Sequence, residues 1–283
     1  MAWSASYLGV IAVPFMEEVI NMKNIPHLEI HLAHGCNLSC ESCSHYSNQG
    51  HKGVLSLAEA EHSMKPWTRR LIPDTFSLLG GEPSLHPYLP EFVLLTRRLW
   101  PNAHLRLVTN GFFLHRHPNL PAILQRDPNI SIYLSIHHSG PEYAEKLRPV
   151  MMLLRSWVRS YRIRVNIYLS FKHWTRVYRG SGNAMEPFKD GQPRQSWERC
   201  PAKYYPQLFE GKIWKCAPLA YLKLQDAKYR LSASWKPYLQ YQPLESGCSD
   251  EQLVEFFHRE EETFCGMCPA NPERFNLPIP FNS

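Results

Sequence analysis

Short apolar segments alternate along the N-terminal part of the chain with longer segments whose apolar residues recur every three or four positions. The short segments predict β-strands and the longer ones predict amphipathic helices. The predicted strands cover 27–33, 75–81, 104–111, 130–138 and 164–171. The predicted helices cover 55–67, 89–100, 120–126 and 142–161. This alternation predicts βαβ units and an α/β fold with a parallel sheet.

The loops that follow the predicted strands carry most of the chemically distinctive residues. They are the cysteine-rich loop 34–47, the pair Gly80-Gly81, the pair Asn110-Gly111 and the pair His137-His138. In a parallel sheet, functional loops lie at the carboxyl ends of the strands. We therefore expect one functional site along this edge of the sheet.

The pattern changes from about residue 179. Residues 179–195 are rich in Gly, Pro and polar residues, which predicts a linker or long loop. Further on, Glu210-Gly211 separates two apolar runs and predicts a β-hairpin, with Cys216 at the end of its second strand. The spacing of Ser249 and Gln252 is that of a capping box, so a helix is expected to begin at Ser249.

Composition limits the function classes. The chain has 283 residues, 44% of them hydrophobic and 20% charged, which is typical of a globular protein with one large domain or one domain and an appendage. The net charge of +6 is modest, and the basic clusters fall on predicted helices and strand edges, so no nucleic-acid partner is expected. The apolar run in the first twenty residues is too short to span a bilayer and lacks a basic leader. We expect a cytoplasmic protein with no membrane partner, and Met22 is an alternative start.

Eight cysteines in a long chain with no secretion signal point to metal or redox chemistry rather than to disulfides. Three of them, Cys36, Cys40 and Cys43, fall within the stretch CNLSCESC. Four thiolates close a metal site, whereas three leave one metal position open. A zinc site completed by His34 or His45 is the alternative, but it leaves the glycine motif at residues 80–83 without a role.

These motifs resemble those of a known family. CNLSCESC resembles the CxxxCxxC signature of radical S-adenosylmethionine (SAM) enzymes, and LLGGEP, residues 78–83, resembles their GGEP motif. The resemblance covers roughly residues 25–171. It implies a partial (β/α)6 barrel in which Cys36, Cys40 and Cys43 hold a [4Fe-4S] cluster. The open iron would bind SAM, and a reductant such as flavodoxin or ferredoxin would supply the electron that cleaves SAM to a 5′-deoxyadenosyl radical.

The resemblance also implies contacts to SAM around the glycine motif. Gly80 and Gly81 lack side chains and permit close approach of the backbone to a ligand. Glu82 would accept hydrogen bonds from the methionyl ammonium group, and Pro83 would restrict the turn.

Other SAM contacts are less closely matched. Ser42 stands where the family often has an aromatic residue near the adenine. Tyr46 is the expected replacement, although a core or surface tyrosine fits the same pattern. Ser135 and His137 match positions at which the family contacts SAM or substrate, and a buried core histidine is the alternative for His137.

Four of the late cysteines resemble the ligands of a twitch or truncated SPASM domain. Their order is a lone cysteine, a hairpin cysteine and a final CxxC pair, and they are Cys200, Cys216, Cys265 and Cys268. The resemblance implies a second [4Fe-4S] cluster in a small C-terminal α+β domain, and a structural zinc is the alternative. The expected organisation is an extension over 1–24, a radical SAM core over 25–178, and a linker and auxiliary-cluster domain over 179–283.

Cys248 remains unassigned by these motifs. It lies just before the predicted helix, and a thiol readily gives a hydrogen atom to a carbon radical because its S–H bond is weak. We therefore expect Cys248 to be a catalytic hydrogen donor. The alternatives are a buried structural cysteine and a replacement for one of the four late ligands.

A spare thiol favours an epimerase, in which one face of a carbon loses hydrogen and the other regains it. The layout resembles that of radical SAM epimerases that act on aminoglycoside antibiotics. An example of their reactions is the conversion of neomycin C to neomycin B. An acidic run around Cys248 is compatible with a polycationic aminosugar, although helix stabilisation explains it as well. The alternatives are a twitch-type dehydrogenase that oxidises a secondary alcohol of an aminocyclitol or sugar, and a peptide-modifying enzyme. A zinc-binding interaction module is the non-enzyme alternative.

Overall fold

The computed structural model describes residues 22–281, so the expected extension over residues 1–24 lies almost wholly outside the described residues. The strands within this range are β1 Lys23–His31, β2 Leu71–Leu79, β3 His104–Thr109, β4 Ile130–Ser135, β5 Arg164–Tyr168, β6 Gln207–Phe209 and β7 Lys212–Trp214. The α-helices in the same range are α1 Leu57–Met64, α2 Leu89–Leu99, α3 Leu120–Gln125, α4 Pro141–Tyr161, α5 Pro193–Glu198, α6 Ala217–Tyr229, α7 Lys236–Leu239 and α8 Asp250–His258.

One sheet organises the described chain. Its strand order is β5-β4-β3-β2-β1-β6-β7, and every neighbouring pair from β5 to β6 is parallel. Helices α1 to α4 connect β1 through β5 in turn, as the alternating pattern predicts. The predicted parallel α/β fold is confirmed.

The sixth parallel strand comes from the C-terminal part of the chain. Strand β6 pairs with β1 through Glu29 with Gln207 and Ile30 with Leu208, rather than continuing the sheet beyond β5. After β5 the chain instead forms short turns and loops, which add no strand to that edge. The two predicted parts of the chain therefore share one sheet.

The hairpin of β6 and β7 forms as predicted. Glu210 and Gly211 have φ values of 52° and 72°, the left-handed conformation that a two-residue hairpin turn requires. Cys216 lies two residues beyond β7, at the N-cap position of α6. The Glu210-Gly211 turn thereby determines the position of the Cys216 thiol at the end of the hairpin.

The predicted capping box of α8 is confirmed, since the Ser249 hydroxyl accepts from the Gln252 backbone and the Gln252 side chain accepts from the Ser249 backbone. Helix α6 was not anticipated from the sequence. Its first six residues, 217–222, are all buried, so it lacks the one-sided apolar stripe by which an amphipathic helix is found.

Two apolar clusters stabilise the fold. The larger packs the sheet against α1 to α4 around residues such as Leu28, Phe76 and Phe92. The smaller surrounds α6 and includes Tyr46 and Trp235. Each fully buried large side chain contributes about 1.5–3 kcal/mol by removal from water. Among the described residues, no helix is both long and apolar enough to span a bilayer.

Candidate active site

A cavity of about 190 Å³ lies at the carboxyl ends of β2, β3 and β4. This active-site cavity brings together most of the residues singled out in the sequence, namely Cys36, Cys40, Cys43, Gly80, Gly81, Glu82, Ser135 and His137. Their convergence follows from the parallel sheet, because the ends of neighbouring strands meet at one edge.

The cysteine loop is held in shape by its neighbours. Ser42 has a φ of 58°, and its hydroxyl accepts from the backbone N–H groups of Val177 and Tyr178 at 2.9 and 3.2 Å. Ser42 therefore ties the loop to the chain beyond β5. Burial raises the pKa of the Cys36 thiol, and the Glu82 carboxylate raises it further. A buried thiolate there requires a positively charged partner, which is the role of a metal.

The two glycines allow β2 to close onto the cysteine loop. A Cβ atom on Gly80 would lie 2.6 Å from the Ala33 carbonyl oxygen, and one on Gly81 would lie 2.2 Å from the Gly35 carbonyl oxygen. The Gly81 N–H donates to the Ala33 oxygen at 2.7 Å, and the Glu82 N–H donates to the Gly35 oxygen at 3.0 Å. The close approach is thus between two protein backbones, in addition to any approach to a ligand.

Glu82 connects the ends of β2 and β3 through hydrogen bonds. Its carboxylate accepts from the Ser84 backbone at 2.9 Å, the Thr109 hydroxyl at 2.5 Å and the Asn110 backbone at 2.7 Å. Burial raises the pKa of Glu82, and these hydrogen bonds act in the opposite direction. Glu82 still faces the cavity, so it combines an architectural contact with a surface available to a ligand.

Ser135 and His137 follow β4 and line the same cavity. Burial lowers the pKa of His137 to about 4, so the imidazole is neutral at physiological pH. Trp174 also lines the cavity, with its ring centroid 5.7 Å from that of His137. Its indole N–H donates to the Glu41 carbonyl at 2.7 Å. Trp174 was not predicted from the sequence, in which it stands as an aromatic residue shortly after the fifth predicted strand.

Tyr46 is placed differently from the expectation. It does not line the active-site cavity, and its hydroxyl donates to the Pro218 carbonyl at 3.2 Å within the smaller apolar cluster. Its φ of 55° turns the side chain away from the cavity, and its ring packs 5.3 Å from Tyr178. The structure thus places Tyr46 in the core, as the alternative interpretation of the sequence had it, and its contact with the adenine stays a prediction that this placement does not support. Pro83 also lies outside the lining and begins a short 3-10 helix.

The four late cysteines form a second thiol group. Burial raises the pKa of the Cys268 thiol, and the nearby thiols of Cys200, Cys216 and Cys265 raise it further. The Ser196 hydroxyl donates to the Cys268 carbonyl at 3.0 Å, which joins α5 to the CGMC turn. The chain thus gathers these cysteines from three separate segments.

Cys248 lies apart from both thiol groups. It contacts Arg70, whose guanidinium donates to the Cys248 carbonyl at 2.6 Å and to its sulfur at 3.2 Å. Arg70 immediately precedes β2, whereas the active-site cavity lies after β2. The nine residues of that strand extend over roughly 25 Å at about 3.3 Å per residue. Hydrogen-atom transfer requires contact, so this placement does not support the expected role of Cys248 as a hydrogen donor, which stays a prediction. Cys248 does not replace a late ligand either.

A second cavity, the inner chamber, adjoins the active-site cavity on the same face of the sheet. It has a volume of about 520 Å³ and shares Ser44, His45, Leu79, Val108 and Ser135 with the active-site cavity. Its remaining polar lining includes Glu29, Arg106, Tyr133, Tyr168, Tyr205 and Gln207. Sequence reasoning missed the chamber, although Arg106 is visible as a charged residue inside an apolar strand.

Glu29 and Arg106 form a buried ion pair in the chamber wall, with nitrogen and oxygen 3.2 Å apart. Burial alone would raise the pKa of Glu29, but the hydrogen bond and charge of His27 and the amide of Gln207 hold it below its usual value. The carboxylate is therefore ionised, and its charge is balanced within the wall.

Across residues 22–281, no three His, Cys, Asp or Glu side chains converge closely enough to hold a single metal ion. A [4Fe-4S] cube binds each cysteine through a different iron, so it requires more widely spaced sulfurs than one zinc ion. The thiols of Cys36, Cys40 and Cys43 line one cavity, which fits the larger group.

Comparison with known proteins gives one family match. The model of the radical SAM superfamily matches residues 30–162. No curated protein sequence matches this chain.

Several solved structures resemble the chain at low identity. BtrN in complex with AdoMet and 2-DOIA is 16% identical, covers 90% of this chain and 98% of its own, and has a TM-score of 0.49. SuiB of Streptococcus suis bound to precursor peptide SuiA is 13% identical, with coverages of 88% and 72% and a TM-score of 0.40. The anSMEcpe structure with bound AdoMet is 19% identical, with coverages of 51% and 43% and a TM-score of 0.40. The match thus spans less than half of the length of anSMEcpe, and these likenesses assign no activity.

Proposed function

Since residues 30–162 belong to the radical SAM superfamily, which implies a [4Fe-4S] cluster and SAM, we propose that the active-site cavity is where both are held. Cys36, Cys40 and Cys43 would ligate three irons and leave the fourth for SAM. The observation that carries this assignment is the single cavity lined by all three thiols and by residues 80–82. When bound, the reduced cluster and SAM supply a 5′-deoxyadenosyl radical, which removes a hydrogen atom from a substrate C–H bond.

The surrounding residues would position SAM. The free face of Glu82 accepts the methionyl ammonium, while Thr109 and Asn110 hold the carboxylate in place. Trp174 and His137 offer ring surfaces to the nucleoside, and the neutral state of His137 avoids a charge beside the sulfonium. Ser135 adds a hydroxyl between the active-site cavity and the inner chamber.

The late cysteines would hold a second [4Fe-4S] cluster. Support comes from the mutual electrostatic effect of Cys200, Cys216, Cys265 and Cys268 and from their burial. A single structural zinc ion is the alternative occupant, and analysis of the bound metal distinguishes the two. The segment 179–283 would thus act as an auxiliary-cluster domain joined to the sheet through β6.

We propose that the reaction is the oxidation of a secondary alcohol of a sugar or cyclitol to a ketone. The alcohol would lose one hydrogen atom from carbon to the 5′-deoxyadenosyl radical, one proton from oxygen to solvent water, and one electron to the second cluster. The position of Cys248 beside Arg70 supports this choice over epimerisation. An epimerase needs a hydrogen donor at the substrate, and the other seven cysteines all belong to the two thiol groups.

Two measurements test the proposal. Iron and sulfide analysis of the anaerobically reconstituted enzyme should give about eight irons per chain, falling to about four in Cys216→Ala or in Cys36→Ala. If the chain instead holds zinc together with about four irons, the proposed second cluster is contradicted. In the reaction with SAM and reductant, a product two mass units lighter than the alcohol is expected. A product of unchanged mass that gains one deuterium in D₂O would instead establish an epimerase.

A further inference from the structure

The inner chamber is the place where a substrate would meet the active-site cavity. The two share five lining residues, and the chamber's 520 Å³ falls within the range of roughly 300–1,000 Å³ typical of small-molecule sites. The interpretation of this chamber rests on the proposed function, because that function places the 5′-deoxyadenosyl radical in the adjoining active-site cavity.

Arg106 is the most distinctive group in the chamber wall. Its Nε donates to the Ser77 hydroxyl at 2.8 Å, and its Nη2 lies 3.2 Å from both Glu29 and His27. No acceptor among residues 22–281 takes a hydrogen bond from its remaining nitrogen, Nη1. The wall therefore holds the guanidinium in a fixed orientation and leaves one end for a ligand.

Two aromatic rings flank this guanidinium. Its central carbon lies 5.0 Å from the Tyr133 ring centroid and 5.6 Å from that of Tyr205. Such stacking restricts the planar group and directs its free N–H bonds. An oxygen acceptor placed in the chamber would meet a preoriented donor rather than a mobile side chain.

The charge of the chamber is balanced without a ligand. Glu29 already receives hydrogen bonds from Arg106 and, at 2.7 Å, from Gln207. Glu82, in the adjoining cavity, is engaged with Ser84, Thr109 and Asn110. A substrate with many ammonium groups would therefore find Glu29 already paired in the chamber, and the free face of Glu82 is assigned to the ammonium group of SAM.

The acidic run that was compatible with an aminosugar lies elsewhere. Two of its residues pair with basic side chains around α8, Asp250 with Arg70 and Glu255 with Arg259. No carboxylate of this run is among the residues that line the active-site cavity or the inner chamber. The carboxylates of the run do not contribute negative charge to the chamber.

We propose that Arg106 determines substrate specificity by donating from Nη1 to a hydroxyl oxygen of a neutral, polyhydroxylated ring, and that the chamber selects against polycations. The role is one of binding and orientation. Arg106 takes no part in bond breaking.

Calorimetric titration of the reconstituted enzyme with SAM tests this inference. The probes are scyllo-inositol, its monoamine scyllo-inosamine, and neomycin. Affinity is expected to fall with ligand charge in that order. Arg106→Lys keeps a positive charge beside Glu29 but loses the planar set of guanidinium N–H donors. The Kd for scyllo-inositol should therefore rise about 10- to 100-fold. Arg116→Lys is the matched control, because Arg116 is exposed, stacks on Phe113 and lines neither cavity. Its Kd should stay within twofold of the wild type.

Tighter binding of neomycin, no binding of scyllo-inositol, or an unchanged Kd in Arg106→Lys would overturn the inference. If Arg106→Lys does not fold, the double variant E29Q/R106Q replaces it, because it removes both charges of the buried pair together. Formation of 5′-deoxyadenosine without substrate is measured in the same preparations. Its absence in the wild type would contradict the proposed function, whereas its presence with the wrong binding order would contradict only the role of Arg106.

Discussion

The contact between β2 and the cysteine loop leads to a quantitative prediction for Gly81→Ala. The added Cβ would lie 2.2 Å from the Gly35 carbonyl oxygen, whereas such contacts essentially never fall below 3.0 Å. The two backbones must therefore separate by roughly 0.8 Å, the difference between those distances. The separation weakens the hydrogen bonds from Gly81 to Ala33 and from Glu82 to Gly35.

The expected loss of stability follows from these contacts. Each backbone hydrogen bond contributes about 1 kcal/mol, and overpacking costs a further 1–3 kcal/mol, about 3–5 kcal/mol altogether. Urea unfolding of the metal-free chain, followed by circular dichroism, measures this loss. Iron retained after reconstitution should also fall, because the displaced loop carries three ligands.

Gly247→Ala is the matched control. A Cβ on Gly247 meets no heavy atom within 4 Å, so its stability should change by less than about 0.5 kcal/mol. Equal unfolding free energies and equal iron contents for the two variants would contradict the predicted clash between Gly81→Ala and the Gly35 carbonyl.

Three further predictions concern other parts of the fold. Cys248→Ala should keep ketone formation within about twofold of the wild type and cost no more than about 1 kcal/mol of stability. Loss of turnover in a folded Cys248→Ala variant would instead show that Cys248 is a catalytic residue. Cys268→Ala should still cleave SAM to 5′-deoxyadenosine but should form little ketone, and unimpaired ketone formation would exclude the second thiol group from the oxidation. Because the folded-state pKa of Glu29 is held below 4.5, its stabilising contribution is present above about pH 4.5 and is lost as the pH falls further. Urea unfolding at pH 7 and at about pH 3.5 should therefore show a smaller pH dependence in Glu29→Gln than in the wild type, and equal dependences would contradict this assignment.

Local patterns in the sequence predicted much of the fold. The alternation of strands and helices, the Glu210-Gly211 turn and the Ser249 capping box each depend on neighbouring residues, and the structure contains all of them. The active-site cavity was also predictable, since strand ends in a parallel sheet meet regardless of side-chain detail.

Features that depend on distant contacts could not be read from the sequence. The position of Cys248 is set by Arg70, 178 residues away along the chain. Tyr46 is directed into the smaller apolar cluster by a left-handed backbone and by Pro218. Strand β6 has only three residues, and its pairing with β1 leaves no periodic signal.

The most direct test of the account follows deuterium from the substrate. A cyclitol or sugar alcohol that the enzyme consumes would be labelled at the carbinol carbon and incubated anaerobically with SAM and reductant. One deuterium in 5′-deoxyadenosine for each ketone formed is the predicted result, in the wild type and in Cys248→Ala alike. Unlabelled 5′-deoxyadenosine, or recovery of an alcohol that carries solvent hydrogen at that carbon, would contradict it.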